Sequence, residues 1–162
     1  MPEAISNTSP LQYLHQVGLL YILPALTTRV IVPRAVASEL EAGRKLGIGL
    51  PDPGSLTWME IRNPASLPVL PLITDLGPGE TEVLALALET VDSLAIIDDG
   101  PARRMAEALG IKLTGTLGLL IDAKTAGLIP AVAPVLDQLE GLRFRIASHT
   151  RNAVLRLSGE LS

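Results

Sequence analysis

The stretch Leu94-Ala95-Ile96-Ile97-Asp98-Asp99-Gly100-Pro101 decides the fold. Four apolar residues make a short buried strand, the two acids end it, and Gly-Pro opens a helix that runs to Gly110. Ile111 to Thr114 is then a second strand. A strand, a helix and a strand in that order imply a right-handed crossover between parallel neighbours. The same alternation continues outward. Toward the N-terminus, Gly77-Pro78-Gly79 starts a helix reaching Glu89, and Val30-Ile31-Val32 is a strand ended by Pro33, with a helix to about Ala42. Ala4 to Ser6 is a strand, followed by the turn Asn7-Thr8-Ser9-Pro10, with Ser9 placed as N-cap and Pro10 at the first helical position. A second short helix is expected over Leu19 to Leu26. The Gly- and Pro-rich run from Gly43 to Pro71 carries one strand candidate, Leu56 to Ile61, and reads as the most mobile region. Toward the C-terminus, helices are expected over Thr116–Thr125, Val132–Leu139 and His149–Ser158, with a last strand candidate at Phe144 to Ile146. The expectation is a single α/β domain over residues 1–162, a three-layer α/β/α sandwich with a mainly parallel sheet.

Composition narrows the function. Apolar residues make up 48% of the 162 and charged residues 19%, which excludes intrinsic disorder. With no cysteine there is no disulfide, thiol nucleophile or thiolate metal site. Aromatics at 2% exclude a base-stacking platform, and a net charge of −4 excludes a wholly basic nucleic-acid surface. Charge is unevenly placed. Between Asn63 and Ala102 there are acids but no Lys or Arg, whereas the last stretch carries Arg143, Arg145, Arg151 and Arg156. That distribution reads as a cation site in the middle and a phosphate contact near the end, or as two solvated faces. No targeting or membrane-spanning segment is legible, so the cytoplasm is the expected location.

Ligands of an open parallel sheet bind beyond the carboxyl ends of its strands. Asn7, Asp98 and Asp99 all follow strand candidates and are expected at that rim. A lone Asp there often caps the next helix; a second one has no cap left to make. At about 100° per residue, Glu80 falls among Val83, Leu84, Ala87 and Leu88, and Glu39 among Ala35, Val36 and Leu40. Each helix therefore turns one acid inward, while Glu41, Glu82 and Glu89 face water. An inward carboxylate costs several kcal/mol unless it is paired or bound to a cation. A helix N-terminus relieves Glu80 but not Glu39, and the nearby cations are Arg103 and Arg104. A shared divalent-ion site of Glu39, Glu80 and Asp98, Asp99 or both follows, with Asn7 as a neutral ligand or neighbour. Oxygen ligands suit a hard cation that polarises a phosphoryl oxygen and activates water. His15 and His149 lack zinc spacing, and neither a P-loop nor a complete dinucleotide motif is present. A phosphoacceptor domain wants its acid pair after the first strand, which this chain does not have.

Several motifs in order resemble the PIN domain: Ile5-Ser6-Asn7-Thr8-Ser9-Pro10-Leu11; Val32-Pro33 with Val36 and Glu39-Leu40; Leu76-Gly77-Pro78-Gly79-Glu80 with Ala85-Leu86-Ala87; Ile97-Asp98-Asp99 with Ala102-Arg103 and Ala106; and Thr114-Gly115-Thr116-Leu117-Gly118. More narrowly, the chain is similar to a prokaryotic branch of uncertain role related to VapC-type toxin ribonucleases. The resemblance implies an α/β/α nuclease with acids around one or two Mg²⁺ or Mn²⁺ ions. It carries the acid roles onto Glu39, Glu80 and Asp98 or Asp99, and the first acid position onto Asn7, where the family usually has Asp. It makes Thr8, Ser9, Arg103 and Thr116 the substrate-binding candidates, RNA the substrate and a small antitoxin protein the partner. Asn7 removes one charge from the site, so the expected activity is weakened; the alternative is a catalytically silent module acting through protein contacts.

The first two helices are apolar on more than one side through Leu11, Leu14, Val17, Leu19, Leu20, Ile22, Leu23 and Leu26. Such helices must be covered, either by the loop from Gly43 to Pro71 or by a second copy, and a homodimer is the expectation.

Overall fold

A computed structural model describes residues 1–66 and 75–161. Five parallel strands form one sheet in the order β3-β2-β1-β4-β5: β1 is Glu3–Ser6, β2 Arg29–Val32, β3 Met59–Ile61, β4 Leu94–Ile96 and β5 Leu113–Thr114. Ile5 pairs with Ile31 on one side and with Ala95 on the other, so β1 is the central strand. Successive strand residues point to opposite faces, yet Ala4, Ile5, Val30, Ile31, Val32, Ala95 and Ile96 are all fully buried. Both faces of the sheet are therefore covered, as expected of a parallel sheet and of its continuous apolar runs. The helices that cover it are α1 (Thr8–Gln16), α2 (Ile22–Leu26), α3 (Arg34–Lys45), α4 (Pro78–Glu89), α5 (Gly100–Ala108), α6 (Thr116–Thr125), α7 (Ala133–Gly141) and α8 (Ser148–Leu157). This is the α/β/α arrangement read from the sequence.

Some boundaries differ. The first helix starts at Thr8 with Asn7 as N-cap, so Ser9 is not the cap and Pro10 lies in the first turn, where its missing N–H has no intrahelical partner to lose. The second helix is limited to Ile22–Leu26, and the strand expected from Leu56 begins only at Met59, after a 3₁₀ turn at Pro53–Ser55. Phe144 to Ile146 is not a strand. Arg143 takes the left-handed conformation at φ 69°, which ends α7 and turns the chain so that Phe144 packs edge-to-face on Tyr13 at 4.9 Å, on the core, instead of pairing with β5. The end of the run expected to be most mobile falls in 67–74, outside the described residues.

The apolar first helices are covered within the chain. Leu11, Leu14, Ile22 and Leu23 are fully buried, and Val17, Leu19, Leu20 and Leu26 pack against the same core. α2 lies against α6, Tyr21 donates its hydroxyl to the Leu128 carbonyl at 3.0 Å, and Gln16 donates to Gly49 O at 3.2 Å. The all-round apolarity of these helices thus reflects contact with several elements of one sandwich, and it no longer requires a second copy.

Glu160 ties the segment after α8 to the start of α7. Its carboxylate accepts from Val132 N (2.7 Å), Ala133 N (3.0 Å), Ser158 Oγ (3.0 Å) and Lys124 Nζ (3.0 Å). Burial pushes this carboxyl up, but the two backbone donors, Lys124 and Ser158 outweigh it and bring it from 4.5 down to about 2. A carboxyl lowered in the folded state contributes stability above its unfolded value, and that contribution is lost as pH falls from 4.5 through about 2. Glu160→Gln is expected to cost about 2–3 kcal/mol at pH 7, because charge-assisted bonds are replaced and an amide N–H₂ meets other donors. Urea unfolding at pH 7 and pH 3 checks this: the wild type should lose more stability between the two than the variant. Equal losses would mean that Glu160 makes no such clamp.

Candidate functional site

β1 and β4 end side by side, because Asn7 N donates to Ile96 O at 3.1 Å. Asn7 is 4% exposed and holds the N-cap position of α1, yet its side chain accepts nothing from that helix. An N-cap Asn ordinarily accepts from an N–H of the first turn. Here Nδ2 points instead to Glu80 Oε1 at 3.5 Å, and Oδ1 lies 3.3 Å from the point where a Cβ on Gly79 would stand. Glu39 Oε1 lies 3.0 Å from the same point, and Glu39 Oε2 accepts from Thr8 Oγ1 at 2.5 Å. Glu80, in the first turn of α4, folds back over Gly77, its Oε2 being 2.9 Å from where that residue's Cβ would stand. The missing side chains of Gly77 and Gly79 thus make a hollow into which Asn7, Glu39 and Glu80 turn their oxygens.

Glu82 fixes the two helices that carry these acids. From α4 it accepts the Ala35 N–H in the first turn of α3 at 3.2 Å. The sequence placed Glu82 on the wet face; it caps a neighbouring helix instead, and no periodicity within α4 could show that. Glu39 also differs from expectation. It is exposed, since the buried stripe of α3 is only Val36, Leu40 and Gly43. The helix runs along the rim of the site, so a residue beside the stripe reaches Thr8 without entering the core. Its carboxylate is therefore not a charge stranded in apolar surroundings, and the desolvation argument for a cation does not apply to it.

The two aspartates separate. Asp99 is exposed and caps α5, its Oδ2 accepting from Ala102 N at 2.9 Å. Asp98 is half-buried and accepts from Thr116 N at 2.8 Å and Thr116 Oγ1 at 2.6 Å. It serves α6 as the cap that Gly115, lacking a side chain, cannot be. Arg103 stands beside it, its Nη1 donating to Ile97 O at 2.7 Å. Burial pushes the Asp98 carboxyl up from its ordinary value, and the Thr116 bonds and the Arg103 charge oppose that. Of the residues expected to touch substrate, Thr116 is fully buried and positions Asp98, Thr8 holds Glu39, and Ser9 is exposed on the first turn of α1.

The structure therefore brings Asn7, Thr8, Glu39 and Glu80 together and keeps Asp98 at the neighbouring strand end, engaged with Thr116. Among the described residues no three Asp, Glu or His side chains converge as metal ligands would. The donor set over Gly77 and Gly79 nonetheless fits a hard cation in kind: two carboxylates, an amide carbonyl and no nitrogen or sulfur ligand, facing a hollow that a Cβ would fill. What Asn7 withholds is charge. Among the described residues no helix is long and apolar enough to cross a membrane.

A search of curated proteins returns no match. The model of the DUF3368 family, described as a PIN domain, matches residues 3–160. That match spans every strand of the sheet and both groups of acids. The chain thus belongs to the PIN-domain family, whose nuclease-type fold it carries with Asn7 at the end of the central strand.

Proposed function

We propose that the protein is a Mg²⁺- or Mn²⁺-dependent ribonuclease of PIN type, slowed by Asn7, and the toxin of a toxin–antitoxin pair held by a small antitoxin. The observation that carries this reading is the approach of Glu39 and Asn7 over Gly79 and of Glu80 over Gly77, with Asn7 reaching Glu80, beyond the carboxyl end of the central strand. Those three residues would hold the ion, with Asp98 at the adjacent strand end. A divalent ion there supplies Lewis-acid polarisation of a phosphoryl oxygen and a more acidic water. The chain's own part is to orient Glu39 through Thr8, to hold Asp98 through Thr116 and to place Arg103 beside it. The test is cleavage of a mixed-sequence RNA in Mn²⁺. Slow cleavage that EDTA stops and Glu80→Gln abolishes supports the reading.

Asn7 also favours a second reading, a silent PIN-like module that works through protein contacts, because one charge is missing and no three acids converge among the described residues. Absence of cleavage in both the wild type and Asn7→Asp would favour it. A homodimer is proposed without the apolar first helices as its support, since one chain covers them; light scattering decides it, by a mass near twice 17.1 kDa or near 17.1 kDa itself.

A further inference from the structure

On the side of Asp98 away from β1, β5 is the last strand of the sheet. A cavity of about 440 Å³ opens there between β5, α6, the turn after α7 and the start of α8. That volume lies in the range of small-ligand clefts, roughly 300–1,000 Å³. Its polar lining is Asp98, Arg103, Thr114, Arg145 and Thr150, and Phe144 contributes to an otherwise aliphatic wall. The charges decide what it accepts. Asp98 is the one acid in the lining, and it is already engaged by Thr116 and faced by Arg103. Arg145 is exposed, and among the described residues it makes no salt bridge. The lining therefore presents an uncompensated guanidinium with two threonine hydroxyls.

A second groove shares Phe144 and Arg145 with this cavity and adds Arg143. The acid in that groove, Glu140, shares Arg151 with Asp137 at 2.7 and 2.8 Å, so the trio keeps one negative charge, against which Arg143 and Arg145 supply two positive ones. Arg143 is also the residue held at φ 69°, where the chain turns at the end of α7, and it is exposed there. The Phe144 ring is taken up by Tyr13. Base stacking is thus not the mode offered; contact with phosphate is, through Arg guanidinium and hydroxyl donors.

We infer that these two grooves are a track for the sugar–phosphate strand of single-stranded RNA, running from Asp98 across Arg145 to Arg143, with Arg145 and Thr150 gripping the first phosphate beyond the reaction site. The inference rests on the ribonuclease reading for the direction of the strand, and its test does not depend on cleavage. Fluorescence anisotropy of a labelled uridine hexamer is measured in EDTA at several salt concentrations. Arg145→Ala should weaken binding at least fivefold and flatten the slope of log K against log salt by about 0.7, the value for one phosphate contact on a single strand. Arg145→Lys, which keeps the charge, should retain most of that slope. Circular dichroism of the exposed-site variants controls for folding. Unchanged affinity and slope in Arg145→Ala overturn the track, and so does displacement of the hexamer by hexaglutamate at equal concentration, which would point to an acidic protein segment. Cleavage by the wild type with Arg145→Ala binding unmoved would sink the track and leave the nuclease reading standing. Weakened binding in Arg145→Ala without any wild-type cleavage would do the reverse.

Discussion

Gly115→Ala is expected to lower stability by about 2–3 kcal/mol, a drop in Tm of roughly 6–10 °C for a chain of this size. The backbone of Gly115 is extended at φ −136° and ψ −174°, so no conformational strain is involved. Space is the obstacle. A Cβ there would stand 2.7 Å from Asp98 Oδ1, 2.9 Å from Arg103 Nη1 and 3.2 Å from the Ile97 carbonyl, and the last of these is main chain one residue past β4, whose N–H is tied to Thr114 O, and it yields less readily than a side chain. Asp98 must then leave Thr116, whose buried N–H and hydroxyl lose their acceptor and α6 its cap. Gly141→Ala is the control: it is helical with open space around it, so the change should be neutral or slightly stabilising. Thermal unfolding of both variants checks the pair. A Gly115→Ala protein as stable as the wild type would contradict the Asp98–Thr116 arrangement.

Asn7→Asp should act in opposite directions with and without metal. Without it, a third carboxylate enters a buried position beside Glu39 and Glu80, and the Nδ2 donor to Glu80 is lost. Like charges and an unpaired buried acid are expected to cost about 1–3 kcal/mol. With Mn²⁺, the added charge faces the cation at the site where Asn7 offers only a carbonyl, and the ion should bind at least tenfold more tightly. Thermal shift reads both effects: a lower Tm in EDTA than the wild type, and a larger rise on adding Mn²⁺. Cleavage of RNA should quicken in the same variant. A Tm that falls in EDTA and does not recover with Mn²⁺ would place Asn7 outside any cation site.

The sheet was legible because its strands are short, apolar on both faces and each followed by a helix start; Leu94 to Ile97 and Val30 to Val32 show this directly. The rim residues Asn7, Asp98 and Asp99 were legible for the same reason. Their division of labour was not, because capping depends on which helix starts within reach: Asp99 serves the helix that follows it in sequence, while Asp98 serves α6, 18 residues on. Glu82 and Glu160 escaped notice on the same physical ground, each capping a helix other than its own neighbour in sequence. The wheel placed Glu39 on an inner face because it assumes a buried stripe of fixed width. At the rim the stripe narrows to Val36, Leu40 and Gly43. Phe144 to Ile146 has the composition of a strand, but tertiary packing on Tyr13 and the left-handed Arg143 override it.

Glu39 and Glu80, with Asn7, are proposed to form a divalent-cation site over Gly77 and Gly79. Calorimetric titration with Mn²⁺ of the wild type and of the Glu39→Gln/Glu80→Gln double variant tests it most directly. Both positions are at least partly exposed, so the double variant is expected to fold. A saturable heat is expected for the wild type and its loss, or at least a tenfold weaker affinity, in the double variant. An identical titration curve for the two proteins would contradict it.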